Sequence, residues 1–171
     1  AISVVLAVDP IGDELVEKIA KRMPSLRTGD GRRGTDMGPL VTGVHRDKVK
    51  SYVDAGEAAG ATLVVDGRDP VVDGEAGGFW LGPTLFDDVT PRMSIYTDEI
   101  FGPVLSVVRT GSYDEALSLV NANRYANGVT LVHMDDKTAK KHPLQKGGHR
   151  HGVLFLGTEG WIHVDRNGMD A

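Results

Sequence analysis

The sequence has 171 residues, with 19 lysines and arginines against 24 aspartates and glutamates, and it contains no cysteine. This length fits one domain of about 100 to 200 residues, which is large enough to bury a core. The net charge of -5 argues against a nucleic-acid partner, because proteins that bind phosphate backbones usually show a basic excess. The lack of cysteine excludes disulfides, cysteine-ligated metals and a thiol nucleophile from this chain.

The longest apolar stretch, from Ala1 to Val8, opens the sequence. It is far shorter than the roughly 20 residues of a membrane-spanning helix, and it lacks the basic leader of a signal peptide. Its β-branched residues are apolar on both faces, which predicts a strand buried between helices in a parallel sheet. We therefore expect a cytoplasmic protein without a membrane partner, and a start on a core strand suggests a piece of a longer chain.

Apolar residues at three- and four-residue spacing predict helices after this strand. The predicted helices run from about Pro10 to Met23, from Arg46 to Ala59 and from Ser112 to about Asn123. We expect Asp9 to cap the first helix with Pro10 at its first position, and Gly60 to end the second in a left-handed conformation. Ser112 and Glu115 have the spacing of a capping box at the start of the third helix.

Short β-branched runs between the helices predict further strands. They are Thr62 to Val65, Thr84 to Val89, Val104 to Thr110 and Val129 to His133. Residues 25–35 and 66–78 are rich in glycine and polar residues and are predicted to be loops. The alternation of helices and strands predicts an α/β fold with an open, mostly parallel sheet and helices on both faces.

The last part of the chain has a different character. A helix that starts near Asp135 should end before His142, because Pro143 follows, and residues 141–151 read as a basic linker. Residues 152–171 are predicted to form a β-hairpin tail, with strands from Gly152 to Gly157 and from Gly160 to Asp165. The predicted domain organisation is thus a main domain over residues 1–140, the linker and the hairpin.

Four short motifs occur in a recognisable order between residues 37 and 128. They are Met37-Gly-Pro-Leu40, Phe79-Trp-Leu-Gly-Pro-Thr84, Glu99-Ile-Phe-Gly-Pro-Val104 and Asn121-Ala-Asn-Arg-Tyr-Ala-Asn-Gly128. Together they resemble the catalytic domain of the NAD-dependent aldehyde dehydrogenases, and most of all the CoA-acylating methylmalonate-semialdehyde dehydrogenase branch. The resemblance covers about residues 1 to 140.

This resemblance implies a cofactor site for NAD. It assigns Glu99 to the hydroxyls of the nicotinamide ribose, which a carboxylate can accept as hydrogen bonds. It places Phe101 beside the nicotinamide ring, where an aromatic side chain offers a flat apolar surface. Taken singly, the two residues also fit a structural role, with Glu99 on the surface and Phe101 in the core.

The resemblance also implies the chemistry of the parent family. A cysteine thiolate attacks a small aldehyde, hydride passes to NAD, and the thioester is released to CoA in the acylating branch. The implied reaction is oxidation of malonate or methylmalonate semialdehyde to an acyl-CoA by a homo-oligomer. Because this chain has no cysteine, it holds no catalytic residue of its own, and we expect the isolated chain to be an inactive fragment. The alternative is a non-catalytic module, natural or an engineered chimera.

The tail is similar to something else. Residues 150–171 resemble a strand pair of the glucose-fructose oxidoreductase and inositol dehydrogenase family, which implies a sheet element and no activity. A divergent aldehyde dehydrogenase terminus remains the alternative.

Two clusters of residues have side chains that can bind metals. The histidines His142, His149 and His151 lack a carboxylate or cysteine at ligand spacing, and a solvated linker explains them better. The pairs Asp87-Asp88 and Asp135-Asp136 fit turns and helix caps equally well. We therefore predict no metal site.

Overall fold

The computed structural model describes residues 2–74, 77–123, 153–156, 161–165 and 168–170. Internal contacts divide the chain into two units, Ala1–Leu119 and Val120–Ala171. Within the described residues, no helix is both long and apolar enough to cross a membrane.

The elements alternate between strands and helices up to residue 122. In chain order they are β1 (Val4–Val8), α1 (Gly12–Arg22), β2 (Thr28–Gly29), α2 (Gly43–Ala58), β3 (Thr62–Val65), β4 (Val72–Asp73), β5 (Thr84–Asp87), α3 (Ser94–Thr97), β6 (Val104–Thr110) and α4 (Tyr113–Ala122). Short 3-10 helices cover Met23–Ser25 and Gly31–Arg33. The strands predicted for β3 and β6 have the bounds that the structure shows.

The main sheet has four strands in the order β1, β6, β5, β3. β6 pairs in parallel with both of its neighbours, with Leu6 opposite Val108 and Leu85 opposite Leu105. β3 lies at the edge and pairs with β5 in the antiparallel sense. The sheet is therefore open and mostly parallel, which confirms the predicted fold class.

Two hydrophobic clusters cover the two faces of this sheet, because successive residues of a strand point to opposite sides. On one face Leu105 and Val107 of β6 pack with Val16 of α1. On the other face Val104 and Val108 pack with residues of α2, α3 and α4. These helix residues are Val49, Val53, Ile95, Tyr96 and Leu119. The helices thus lie on both faces, as the sequence predicted.

The start of α1 differs from the prediction. The helix begins at Gly12 and has no side-chain cap, so Asp9 is not the cap and Pro10 is not its first residue. The Asp9 amide instead donates to the carbonyl of Thr110 at 2.9 Å, which continues the pairing of β1 with β6. The Asp9–Pro10 peptide bond is cis. Strand pairing therefore takes the residues that the capping pattern had assigned to the helix.

The predicted glycine end of α2 is confirmed, whereas the predicted capping box of α4 forms only in part, because Glu115 accepts from Gly111 and not from Ser112. Gly60 has a φ of 93° after the last turn of α2, the left-handed conformation that favours glycine. In α4, the amide of Glu115 donates to Ser112 Oγ at 3.2 Å. The Glu115 carboxylate accepts from the amide of Gly111 at 2.8 Å.

α2 begins at Gly43 rather than at the predicted Arg46. The Oγ1 atom of Thr42 accepts a hydrogen bond from the amide of His45 at 3.1 Å, which is an N-cap. The predicted start lies three residues late because apolar spacing does not reveal the Thr42 cap, although threonine before a helix is a common start signal.

The two glycine-rich segments are not entirely loops, so that prediction was wrong in part. Each contributes one short strand, and β2 and β4 pair in parallel as a separate two-stranded sheet. Gly29 lies so close to the backbone of Asp73 that a β-carbon would overlap its carbonyl oxygen. Strands of two residues carry too little pattern to be predicted.

The second unit contains an antiparallel sheet of three strands, β7 (Val153–Leu156), β8 (Trp161–Asp165) and β9 (Gly168–Asp170). β7 pairs with β8, and β8 pairs with β9. The predicted hairpin is confirmed, and β9 adds a strand that the sequence did not predict. The strand predicted at Val129, the helix near Asp135 and the linker 141–151 lie outside the described residues, so the domain boundaries stay predictions.

Candidate functional site

The candidate site is the loop of residues 98–103, which connects α3 to β6. Ile100 is 5% exposed and belongs to the core that packs against α2. Glu99 and Phe101, which flank it, are both exposed, and the Phe101 side chain is 73% exposed. The alternative that placed Phe101 in the core is therefore wrong.

The Glu99 side chain has no hydrogen bond or ion pair with any other residue that the structure describes. Its carboxylate oxygens are acceptors only, and together they can take several hydrogen bonds. The group is therefore able to accept two hydroxyl donors of a ligand without first breaking a protein contact.

The backbone of Phe101 adopts a φ of 54°. A bulky residue rarely enters this left-handed region, because its β-carbon then crowds the backbone. Such conformations persist only where the surroundings hold them, and they cluster at functional sites. The exposed ring gains little from packing, so the backbone must be held from elsewhere.

α2 supplies the contacts that hold this loop. His45 Nε2 lies 2.8 Å from the carbonyl oxygen of Phe101. One turn later, Val49 lies where Gly102 passes, and a β-carbon on Gly102 would come within 2.6 Å of Val49 Cγ1. Tyr52 then donates its hydroxyl to Asp98 Oδ2 at 3.0 Å. Three residues on one face of α2 thus contact the loop in succession.

Apolar side chains surround the start of α2. Phe79 lies beside Gly43, with its Cε1 atom 3.2 Å from the position of a β-carbon there. Phe79 is 42% exposed, Val41 is 88% exposed and Val44 is 84% exposed. The segment at the start of α2 therefore carries two exposed valines, and the half-exposed Phe79 lies against its first residue.

The acidic pair Asp87-Asp88 has structural partners. Asp87 is buried, and its two carboxylate oxygens accept from Arg109 at 2.9 and 2.6 Å. The hydrogen bonds from Arg109 lower the pKa of the Asp87 carboxyl below its ordinary value. Asp88 accepts from the Thr62 hydroxyl at 2.9 Å.

In the described part of the chain, no group of three or more acidic or histidine residues is placed to hold a metal. Asp135, Asp136 and the three histidines of the linker lie outside the described residues.

The sequence predicted Glu99 and Phe101 but missed the residues that support them. His45, Val49 and Tyr52 are spaced four and three apart, which places them on one helix face. A histidine on the same helix face as Val49 and Tyr52 is the sequence signal that could have indicated the contact with the 98–103 loop.

These features define a class of protein, an α/β domain whose mostly parallel sheet carries an exposed carboxylate and aromatic ring on one loop. Comparison with known proteins identifies the class further. The sequence profile of the aldehyde dehydrogenase family matches residues 1–145. The chain therefore belongs to the aldehyde dehydrogenase family.

Several relatives are semialdehyde dehydrogenases. Malonate-semialdehyde dehydrogenase of Pseudomonas aeruginosa is 49% identical over 142 residues, which are 82% of this chain and 29% of that protein. Malonate-semialdehyde dehydrogenase 1 of Geobacillus thermodenitrificans aligns with the whole chain, at 42% identity and over 38% of its own length. The chain thus spans about a third of the length of these relatives.

A solved structure shows the same fold. It is a putative methylmalonate-semialdehyde dehydrogenase from Sinorhizobium meliloti, complexed with NAD. It is 46% identical to this chain with a TM-score of 0.75, over 82% of this chain and 29% of its own.

Proposed function

We propose that Glu99 and Phe101 form one edge of an NAD site in a protein that oxidises a short semialdehyde, malonate or methylmalonate semialdehyde, to an acyl-CoA. The observation that carries this proposal is the exposure of both side chains on either side of the buried Ile100. The similarity to a methylmalonate-semialdehyde dehydrogenase complexed with NAD supports the choice of cofactor.

The two residues fit a nicotinamide riboside by their chemistry. The free carboxylate of Glu99 can accept both ribose hydroxyls, and a bidentate acceptor fixes the orientation of the sugar. The exposed face of Phe101 can lie against the nicotinamide ring and keep water from that side. NAD, when bound, supplies the acceptor for the hydride that leaves the substrate.

The reaction as a whole needs groups that this sequence does not contain. The family forms its thioester on a cysteine, and there is none among the 171 residues. We therefore propose that the chain by itself holds part of the cofactor site and performs no oxidation. The acyl transfer to CoA, a homo-oligomeric state and a cytoplasmic location belong to the same proposal for the protein as a whole.

A titration of the isotope-labelled chain with NAD, followed by NMR, tests the cofactor site. We expect shift changes centred on residues 99–102, and we expect Glu99→Gln to weaken binding by about tenfold, since hydrogen bonds to a charged acceptor contribute about 1.5 to 3 kcal/mol. Glu14→Gln is the matched control, because it removes an exposed carboxylate on α1. Equal effects of the two variants would contradict the proposal.

An activity assay tests the absence of chemistry. The purified chain with NAD, CoA and malonate semialdehyde should form no NADH, because no thiolate is available to attack the aldehyde. NADH formation would show that our assignment of the chemistry is wrong. A chain that neither binds NAD nor forms NADH would favour the alternative, a non-catalytic or chimeric module.

A further inference from the structure

We propose that His45 is a positioning residue, which holds the 98–103 loop in the conformation that presents Glu99 and Phe101 to the cofactor. This inference rests on the proposed NAD site. It adds His45, which lies 56 positions before Phe101 in the sequence and contacts its carbonyl oxygen.

The conformation of Phe101 needs an external support. Its φ of 54° is unfavourable for an aromatic residue, and its side chain is too exposed to repay that cost by packing. The hydrogen bond from His45 Nε2 to the Phe101 carbonyl, at 2.8 Å, acts on the peptide unit whose orientation this residue sets. A carbonyl oxygen can only accept, so Nε2 must carry the proton and donate.

His45 is itself held in place. It lies in the first turn of α2, where its amide donates to Thr42 Oγ1 at 3.1 Å. The residue is half-buried. The N-cap therefore fixes the backbone of His45, and the imidazole transmits that position to the loop.

The other described contacts of the 98–103 loop do not include a hydrogen bond to the Phe101 carbonyl. Ile100 is buried, and Gly102 lies against Val49, so the loop is anchored on both sides of Phe101. Neither contact is a hydrogen bond to the carbonyl of Phe101. The only described hydrogen bond to the Phe101 carbonyl comes from His45, and this bond selects the orientation.

The test compares His45→Ala, which removes the donor, with His45→Gln, which keeps a side-chain N–H. The backbone carbon shifts of Phe101 report its left-handed conformation in the full 171-residue chain without any ligand. We expect His45→Gln to keep these shifts and His45→Ala to lose them. Val44→Ala is the matched control, because it truncates the adjacent, 84% exposed side chain.

The same variants are titrated with NAD. We expect His45→Ala to weaken binding by about fivefold, which corresponds to the loss of one neutral hydrogen bond. We expect His45→Gln to weaken binding by less than about twofold. If the unmodified chain binds no NAD, the proposed cofactor site fails, while the Phe101 shifts still decide the role of His45. If His45→Ala leaves the Phe101 shifts unchanged, the positioning role is overturned.

A measurement on the unmodified chain guards against a variant that fails to fold. The nitrogen shifts of the His45 ring at pH 8 distinguish its two neutral tautomers. Protonation at Nε2 is expected from the bond to Phe101, and protonation at Nδ1 alone would overturn the proposal.

Discussion

Two non-glycine residues share the same unusual backbone angle but differ in side chain and in surroundings. Asp88, at the end of β5, and Phe101, in the 98–103 loop, both have a φ of 54°. At Asp88 the conformation is satisfied locally. Its amide donates to Asp87 at 2.8 Å, and its carboxylate accepts from Thr62.

The difference lies in the residue type and in the source of the support. Aspartate enters the left-handed region several times more often than most residues, whereas phenylalanine there is an outlier. Phe101 has an exposed ring, and its carbonyl oxygen contacts His45 of α2. The turn at Asp88 is therefore stabilised by its own side-chain contacts, whereas the turn at Phe101 holds an unfavourable conformation with its ring exposed.

The largest effect on stability is expected from the ion pair between Arg109 and Asp87, the residue before Asp88. Arg109→Leu would leave Asp87 buried and unpaired, which should lower the free energy of unfolding by about 3 kcal/mol in urea denaturation. Arg32→Leu is the control, because Arg32 is 90% exposed and its pair with Asp30 should contribute less than about 1 kcal/mol. Similar losses in both variants would contradict a structural role for this end of β5.

The packing of the 98–103 loop against α2 can be disrupted without changing His45. Gly102→Ala would place a β-carbon 2.6 Å from Val49 Cγ1, and a branched valine cannot move aside cheaply. We expect a loss of about 2 kcal/mol in the free energy of unfolding, typical of overpacking. Gly38→Ala should be nearly neutral, since nothing lies within 4 Å of its β-carbon. A harmless Gly102→Ala would mean that the loop is not pressed against α2.

Lowering the pH should weaken the contribution of Asp87 to stability. The pKa of Asp87 is lowered in the folded protein, so its charge stabilises the fold fully at pH values above the unfolded pKa of about 4. This contribution is lost as the pH falls through the folded pKa. The difference in free energy of unfolding between the unmodified chain and Asp87→Asn should therefore shrink from pH 7 to about pH 3. A constant difference across this range would show that the ion pair contributes nothing through its charge.

The contrast also shows what the sequence could predict. Strands β3 and β6 were predictable because β-branched runs carry their own pattern, and Glu99 and Phe101 were predicted because they belong to an ordered set of motifs. The contact of His45 with Phe101 joins residues 56 apart, and no local pattern encodes it. The start of α1 was mispredicted for the same reason, because pairing of Asp9 with the distant Thr110 overrode the local capping signal.

The smallest effect should decide whether Phe101 is kept for stability or for binding. Phe101→Gly removes the unfavourable backbone angle but makes the unfolded chain more flexible, so these terms nearly cancel and the free energy of unfolding should change by less than about 1 kcal/mol. Asp88→Gly, by contrast, loses the bond to Thr62 and should be less stable by about 1 kcal/mol. If binding keeps the aromatic ring in place, Phe101→Gly will weaken NAD binding in the NMR titration while Asp88→Gly will not. A loss of more than about 2 kcal/mol for Phe101→Gly would instead make the ring a packing residue and remove the distinction between the two turns.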